Sequence, residues 1–279
     1  VIKMTGGTLV GTRITHCSSE GTASGFGGGV YMTGGTIRNS RILNNFTAAY
    51  GDATAFRRCA GLAIGAGLAD RCEIAGNNKC TYGAGVWMDA LKNTSGTGIL
   101  RNCYIHDNTS QREGGGVYVS KGTVEHCTIV GNSSLDLLGG GLYQGGGTVR
   151  NSIIYNNGDP AKDAKCNVNY ASGTFDYNVS TPAVSGTGVG ANNLTGAPGF
   201  ADADHGDYTL ATGSIAIDSA LVIEAVTNDY AGAVRPKRGA ETSPEAIPDR
   251  GAWEAMGIDE GEFRCSISYT QPVSGLDEL

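Results

Sequence analysis

The sequence predicts an all-β fold, a single-stranded parallel β-helix (β-solenoid) in which one chain coils into stacked turns of short strands. Three observations predict it. A glycine-rich step to an apolar and then an aromatic residue is rebuilt at 27–31 (GGGVY), 83–87 (GAGVW), 114–118 (GGGVY) and 139–143 (GGGLY). A second motif aligns on Ile42, Ile74, Ile105, Ile129 and Ile154, with a partial copy at Ile14. No unit carries apolar residues at i, i+3, i+4 and i+7; each has short alternating pieces such as Val30-Tyr31-Met32 and Ser40-Arg41-Ile42, bounded by Gly, Asn and Ser. Self-similarity at a near-fixed period without helices marks a solenoid. A phosphate-cradling loop does not explain the glycines, because such a loop is used once per domain and opens a helix.

Each element follows from a column of the repeat. Seven residues before each isoleucine stands glycine (Gly7, Gly35, Gly67, Gly98, Gly122, Gly147), and five before stands Leu9, Ile37, Ala69, Leu100, Val124 or Val149. Two before is a small residue (Thr12, Ser40, Cys72, Cys103, Cys127, Ser152), suited to a narrow interior. Three after is Asn45, Asn77, Asn108, Asn132 or Asn157, broken only by Cys17 in the first copy. The shortest full repeat, Ile105 to Ile129, is 24 residues, enough for three short strands per turn. Strands that pair with their equivalents one turn later, about 4.8 Å away, stack identical positions into columns. Glycine then supplies corners with positive φ or no room for a Cβ. Asparagine at a fixed corner tolerates left-handed geometry and bonds to the amides above and below.

The chain divides into two regions: repeats over 1–158, about six coils with the first partial, and a looped C-terminal cap over 159–279 that continues the solenoid end. All seven prolines lie at or after Pro160, and proline removes a strand donor. Up to Asn157 there are 13 basic and 9 acidic residues, and afterwards 7 and 18, which together give the net −7. The acidic total argues against nucleic acid as a partner. No apolar run of 18 residues exists to span a membrane as a helix. Val1 begins inside a repeat, as expected of a mature or excised piece of a longer protein.

The motif G-G-G-[VL]-Y followed by G-T-[IV]-x-N-[SC]-x-I-x-x-N resembles the right-handed parallel β-helix repeats of bacterial secreted and surface proteins, including the polymorphic outer-membrane type. The resemblance covers residues 1–158 and alone implies the handedness. Residues 206–220 (GDYTLATGSIAIDSA), 229–236 (DYAGAVRP) and 249–254 (DRGAWE) are similar to the end module called choice-of-anchor Q. Ile215 stands there in place of a usual proline, and Arg250 and Trp253 replace an aliphatic residue and a tyrosine. Asp218, Asp229 and Asp249 match that module's acidic positions and read as turn and cap formers.

Candidate chemistry is sparse. Cys72, Cys103 and Cys127 read as buried packing groups, and the absence of C-x-x-C argues against zinc. Cys59 with Cys80, on one corner of successive coils, and Cys166 with Cys265 are the candidate disulfides, consistent with an extracytoplasmic location. Asp202, Asp204 and Asp207 form the only candidate calcium ligands, with solvated turns as the competing reading; no other cofactor is indicated. His16, His106, His126 and His205 share no column and read as surface or corner residues. Residues 186–191 match a dinucleotide fingerprint by letters but lack the flanking strand and helix.

Two columns offer binding chemistry. Tyr31, Trp87, Tyr118 and Tyr143, interrupted by Ala63, form an aromatic row that either stacks on sugar rings or on itself. Arg38, Asp70, Arg101, Glu125 and Arg150 alternate in sign, which favours an ion-pair ladder, with Arg38, Arg101 and Arg150 as candidate contacts to an acidic polymer. The expectation is a non-catalytic, extracellular or cell-surface bacterial module of structural or adhesive role, binding polysaccharide or a surface protein. The alternatives are a polysaccharide lyase or glycoside hydrolase, whose active site needs clustered carboxylates or a positioned base, and a purely structural element that self-associates through its coil ends.

Overall fold

The computed structural model describes residues 1–19, 28–47, 58–91, 94–136, 138–159, 162–163, 165–239 and 245–257. Among these the fold is an all-β parallel solenoid of about six turns, with a single 3-10 turn at Ala203–His205 and no α-helix. Each turn carries strands on three faces. The first face stacks Leu62–Ile64, Val86–Met88, Val117–Val119, Leu142–Gln144 and Val168–Tyr170; the second stacks Leu68–Asp70, Ile99–Arg101, Thr123–Glu125, Thr148–Arg150 and Thr174–Asp176. Two long strands, Ile2–Val10 and Val30–Arg38, bend across the corner and merge both faces into one twelve-stranded sheet. The third face is a seven-stranded sheet through Arg13–Thr15, Arg41–Leu43, Glu73–Ala75, Tyr104–His106, Thr128–Val130, Ile153–Tyr155 and Val179–Ser180.

Strands of three residues survive here because each projects its central or outer residues into a shared core. Ile42, Ile74, Ile105, Ile129 and Ile154 pair in register and are fully buried, as are Ile37, Ala69, Leu100, Val124 and Val149 opposite them. Each buried isoleucine contributes roughly 1.5–3 kcal/mol relative to exposure. Two glycine columns keep the coils close. A Cβ on Gly116 would lie 2.6 Å from the Gly141 carbonyl oxygen and 2.9 Å from the Asn132 amide nitrogen, so nothing larger fits between those coils. Gly122 turns its corner at φ +95°.

The asparagine column is a ladder inside the solenoid. Nδ2 of Asn45, Asn77, Asn108 and Asn132 each donates to Oδ1 of the next asparagine at 2.9–3.0 Å, and the ladder continues from Asn157 to Asn167 at 2.8 Å. The left-handed conformation expected of this column falls one residue earlier, on Asn44, Asp107 and Asn156, where the chain turns. The ladder asparagines themselves are selected by their amides. In the small column, Cys72, Cys103 and Cys127 are buried and their thiols donate to the carbonyls two residues back, as the Ser40 and Ser152 hydroxyls do. Cysteine and serine are therefore interchangeable in one role.

The Cys59–Cys80 bridge does not form; both are free, buried thiols. Arg58 pairs with Tyr82 on the next coil, so Cys59 sits opposite Gly83, three residues past Cys80. Cys59 packs with Ala63, Trp87 and Leu91, and Cys80 with Ala60 and Ala84. Burial raises both thiols, Cys80 to about 12. No disulfide occurs among the described residues; Cys166 is buried, and its expected partner Cys265 lies outside them.

Beyond residue 158 the coil continues through Val168–Tyr170, Thr174–Asp176 and Val179–Ser180, then through bridges of Phe175 with Val189 and Val179 with Leu194. An antiparallel pair, Phe200–Asp202 with Asp207–Leu210, follows. The chain then runs back along the corner between the second and third faces. Leu221 exchanges two hydrogen bonds with the Asn151 side chain, Asn228 accepts from Asn102, and the Ala252 amide donates to the Thr128 hydroxyl. The corner residues it follows, Arg71, Asn102, His126, Asn151 and Tyr177, all have positive φ.

Candidate binding surface

The charged column on the second face pairs in strict register: Arg38 with Asp70, Asp70 with Arg101, Arg101 with Glu125, Glu125 with Arg150, and Arg150 with Asp176. Glu125 is buried and held between Arg101 and Arg150, at 2.7 Å from each. Arg101 also donates to the Ala225 carbonyl at 3.1 Å. Two of the three candidate arginines are thus committed to structure. Arg38, by contrast, is exposed and has no ion-pair partner among the described residues.

The aromatic row is a self-stacked ladder on the first face. Trp87 lies over Tyr118 at 4.0 Å between ring centroids, and Tyr118 over Tyr143 at 4.6 Å. Tyr82 meets Trp87 and Tyr118 edge-on, and the Arg58 guanidinium lies 5.4 Å from the Trp87 ring. Ring faces point along the solenoid axis, since residues paired in register lie one coil apart. What the half-buried Tyr118 and Tyr143 present outward is therefore edges rather than faces. Trp87 is buried, and Tyr31, two coils away beyond Ala63, is half-buried.

A cluster on the third face was hidden in the sequence. Glu73 takes a bidentate contact from Arg41, at 2.6 and 3.1 Å, and lies 3.3 Å from His106 Nε2. His106 Nδ1 lies 2.7 Å from Asp107. The hydrogen bond to His106, with those from Arg41, lowers Glu73 to about 2 against the opposing effect of burial. Burial disfavours a charged His106, but its hydrogen bonds to Glu73 and Asp107 prevail and raise it. Tyr104 stacks on His106 at 4.0 Å and meets Trp253, Tyr208 and Tyr230 of the C-terminal region. Burial raises the Tyr104 phenol well above its ordinary value, and Tyr230 to about 12. Beside Tyr230 opens a cleft of about 300 Å³ lined by Asn39, Ser40, Arg41, Arg71 and Ala231. Arg41 and Glu73 share a column, but His106 joins them diagonally, from a different column on the adjacent coil.

His126, read from sequence as a surface or corner residue, is a buried corner. Its Nε2 lies 2.9 Å from the Asn151 side-chain amide, and its Nδ1 faces both the Asp249 carbonyl, at 3.2 Å, and the Arg235 guanidinium. Burial and the adjoining Arg235 guanidinium lower it well below the ordinary range, so the ring is neutral. Arg235 pairs with Glu254 at 2.8 Å, both fully buried. Burial raises Asp249 to about 6 and Glu254 to about 7, while backbone amides of Asp218, Ala255, Lys237 and Asp249 donate to them. This network fastens the C-terminal segment to the coils.

Of the candidate calcium ligands, Asp202 pairs with His205 at 2.8 Å and Asp207 caps Thr209, all exposed; no three His, Cys, Asp or Glu side chains converge among the described residues. Residues 186–191 form a loop whose Val189 bridges Phe175. Comparison with protein-family models, with curated proteins and with solved structures finds no match.

Proposed function

We propose that the protein is a non-catalytic module of a secreted or cell-surface protein, with an adhesive role exercised by binding an extended polysaccharide. The observation that carries this reading is the ordered row on the first face. Stacked tyrosines one coil apart, fixed by strand register, present edges and hydroxyls at a regular repeat, which suits a polymer better than a small ligand.

The charged groups support binding over turnover. A general acid or base needs a proton free to move and an affinity near the working pH. His106 has both ring nitrogens engaged by carboxylates, and Glu73 is held ionised by Arg41 and His106. His126, Asp249 and Glu254 are buried under the C-terminal segment and occupied by hydrogen bonds to it and to Asn151.

A glycan array tests the reading. Hits are expected among polymers rather than short oligomers, and Tyr118→Ala with Tyr143→Ala is expected to weaken them at least fivefold while the circular dichroism spectrum is kept. Array silence removes the reading.

A further inference from the structure

Among the described residues, the corner that grips the C-terminal segment is filled on later coils and open on the first two. On the fourth coil Arg101 Nη1 donates to the Ala225 carbonyl at 3.1 Å and Asn102 Nδ2 to the Asn228 carbonyl at 2.9 Å. On the sixth coil Asn151 grips the main chain of Leu221 through both ends of its side-chain amide, Nδ2 donating to the carbonyl and Oδ1 accepting from the N–H. The corner is thus built to hold polypeptide by its backbone. Strand register makes Arg38 and Asn39 the second-coil equivalents of Arg101 and Asn102, through Asp70 and Arg71 between them. Asn39 has the same left-handed conformation, φ +49°, as Asn102. Both Arg38 and Asn39 are exposed, and neither side chain has a polar partner among the described residues. Among the described residues the C-terminal segment makes no hydrogen bond to them, and a cleft lined by Asn39, Arg41, Arg71 and Tyr230 lies beside them.

We infer that this open stretch is a docking site for an acidic peptide segment of a partner protein. Arg38 and Asn39 would take main-chain carbonyls, as Arg101 and Asn102 do, and Tyr230 would wall the cleft. The acidic requirement follows from charge. Arg13 and Arg41 are register neighbours, Arg38 and Arg71 flank them, and among the described residues only Asp70 and Glu73 pair with any of these four arginines, Asp70 with Arg71 and Glu73 with Arg41. The site lies on a different face from the tyrosine row and does not depend on polysaccharide binding there.

The test is fluorescence anisotropy with a labelled ten-residue peptide alternating Asp and Val, against an alternating Lys and Val peptide and polygalacturonate. Saturable binding of the acidic peptide, weakened by salt, is expected. Arg13→Glu with Arg38→Glu should weaken it at least tenfold. Asn39→Gly, which suits the left-handed backbone and deletes only the amide, should weaken it about threefold. Unchanged affinity in both variants, no peptide binding, or tighter binding of polygalacturonate at the same arginines would overturn the inference. Concentration-dependent dimerisation lost in Arg13→Glu with Arg38→Glu would overturn it too, by making a second copy the occupant.

Discussion

Asn108 and Asn132 are joined twice across one coil spacing: Asn132 Oδ1 accepts both from the Asn108 side-chain amide at 2.9 Å and from the Asn108 backbone amide at 3.0 Å. The Asn108 amide also donates to the Ile74 and His106 carbonyls, and its Oδ1 accepts from Asn77. One side chain thus satisfies main-chain groups on neighbouring coils in a fully buried position.

Asn108→Leu should therefore destabilise the fold, because it strands the Asn77 donors and the Ile74 carbonyl away from water. About 1–3 kcal/mol is expected for each polar group left unsatisfied, so the total should exceed 2 kcal/mol. Urea unfolding measures it, and an unchanged midpoint would contradict the ladder's role.

The two carboxylate–arginine sites should differ. Glu125 is buried and takes hydrogen bonds from two partly exposed arginines, so Glu125→Ala should cost about 1.5–3 kcal/mol. Arg41 is half exposed, and Arg41→Ala should cost no more than about 1 kcal/mol. Equal losses in urea unfolding would refute the ranking.

The buried thiols should be inert in the native protein. Cys59, Cys72, Cys80, Cys103 and Cys127 are expected to resist iodoacetamide at pH 8 and to react once unfolded without reductant, because burial blocks access to all five and raises the thiols of Cys59, Cys80 and Cys103. Intact mass reads the number modified. Cys59 and Cys80 remaining unmodified after unfolding would show the bridge that the register forbids.

His126 sets part of the pH dependence. Its folded affinity for protons is depressed, so its contribution to stability is present above about 6.5 and is lost as pH falls, by up to about 1.4 kcal/mol per unit. Asp249 and Glu254 are raised, so theirs is present at low pH and is lost as pH rises through about 6 and about 7. The signs oppose, and His126→Asn separates them, since asparagine already holds this corner at Asn102 and Asn151. Between pH 6.5 and 5 the variant should gain stability relative to the parent. Parallel stability curves would exclude a neutral, buried His126.

The repeat was legible because each column makes the same contact on every coil. Ile105, Asn108 and Cys103 announce their places by recurrence, and their pairing follows. The C-terminal segment was not legible in this way. Asn39, Asn102 and Asn151 recur in one column, interrupted by Arg71 and His126, but the partners of Asn102, His126 and Asn151 lie some 70 to 126 positions away in a segment that carries no repeat. Cys59 and Cys80 were misplaced because sharing a corner is a looser condition than sharing a register position: the offset that pairs Leu62 with Val86 also pairs Arg58 with Tyr82 and puts Gly83 opposite Cys59. Glu73 and His106 meet diagonally, which column-by-column alignment does not reveal.

The most direct measurement of the central claim is the mass distribution of a bound polysaccharide, by light scattering after chromatography, before and after overnight incubation with the protein. A binding module predicts retention of the polymer on the protein, an unchanged mass distribution, and release when Tyr118 and Tyr143 are replaced. A falling polymer mass with new reducing ends or unsaturated uronates would contradict it and establish an enzyme.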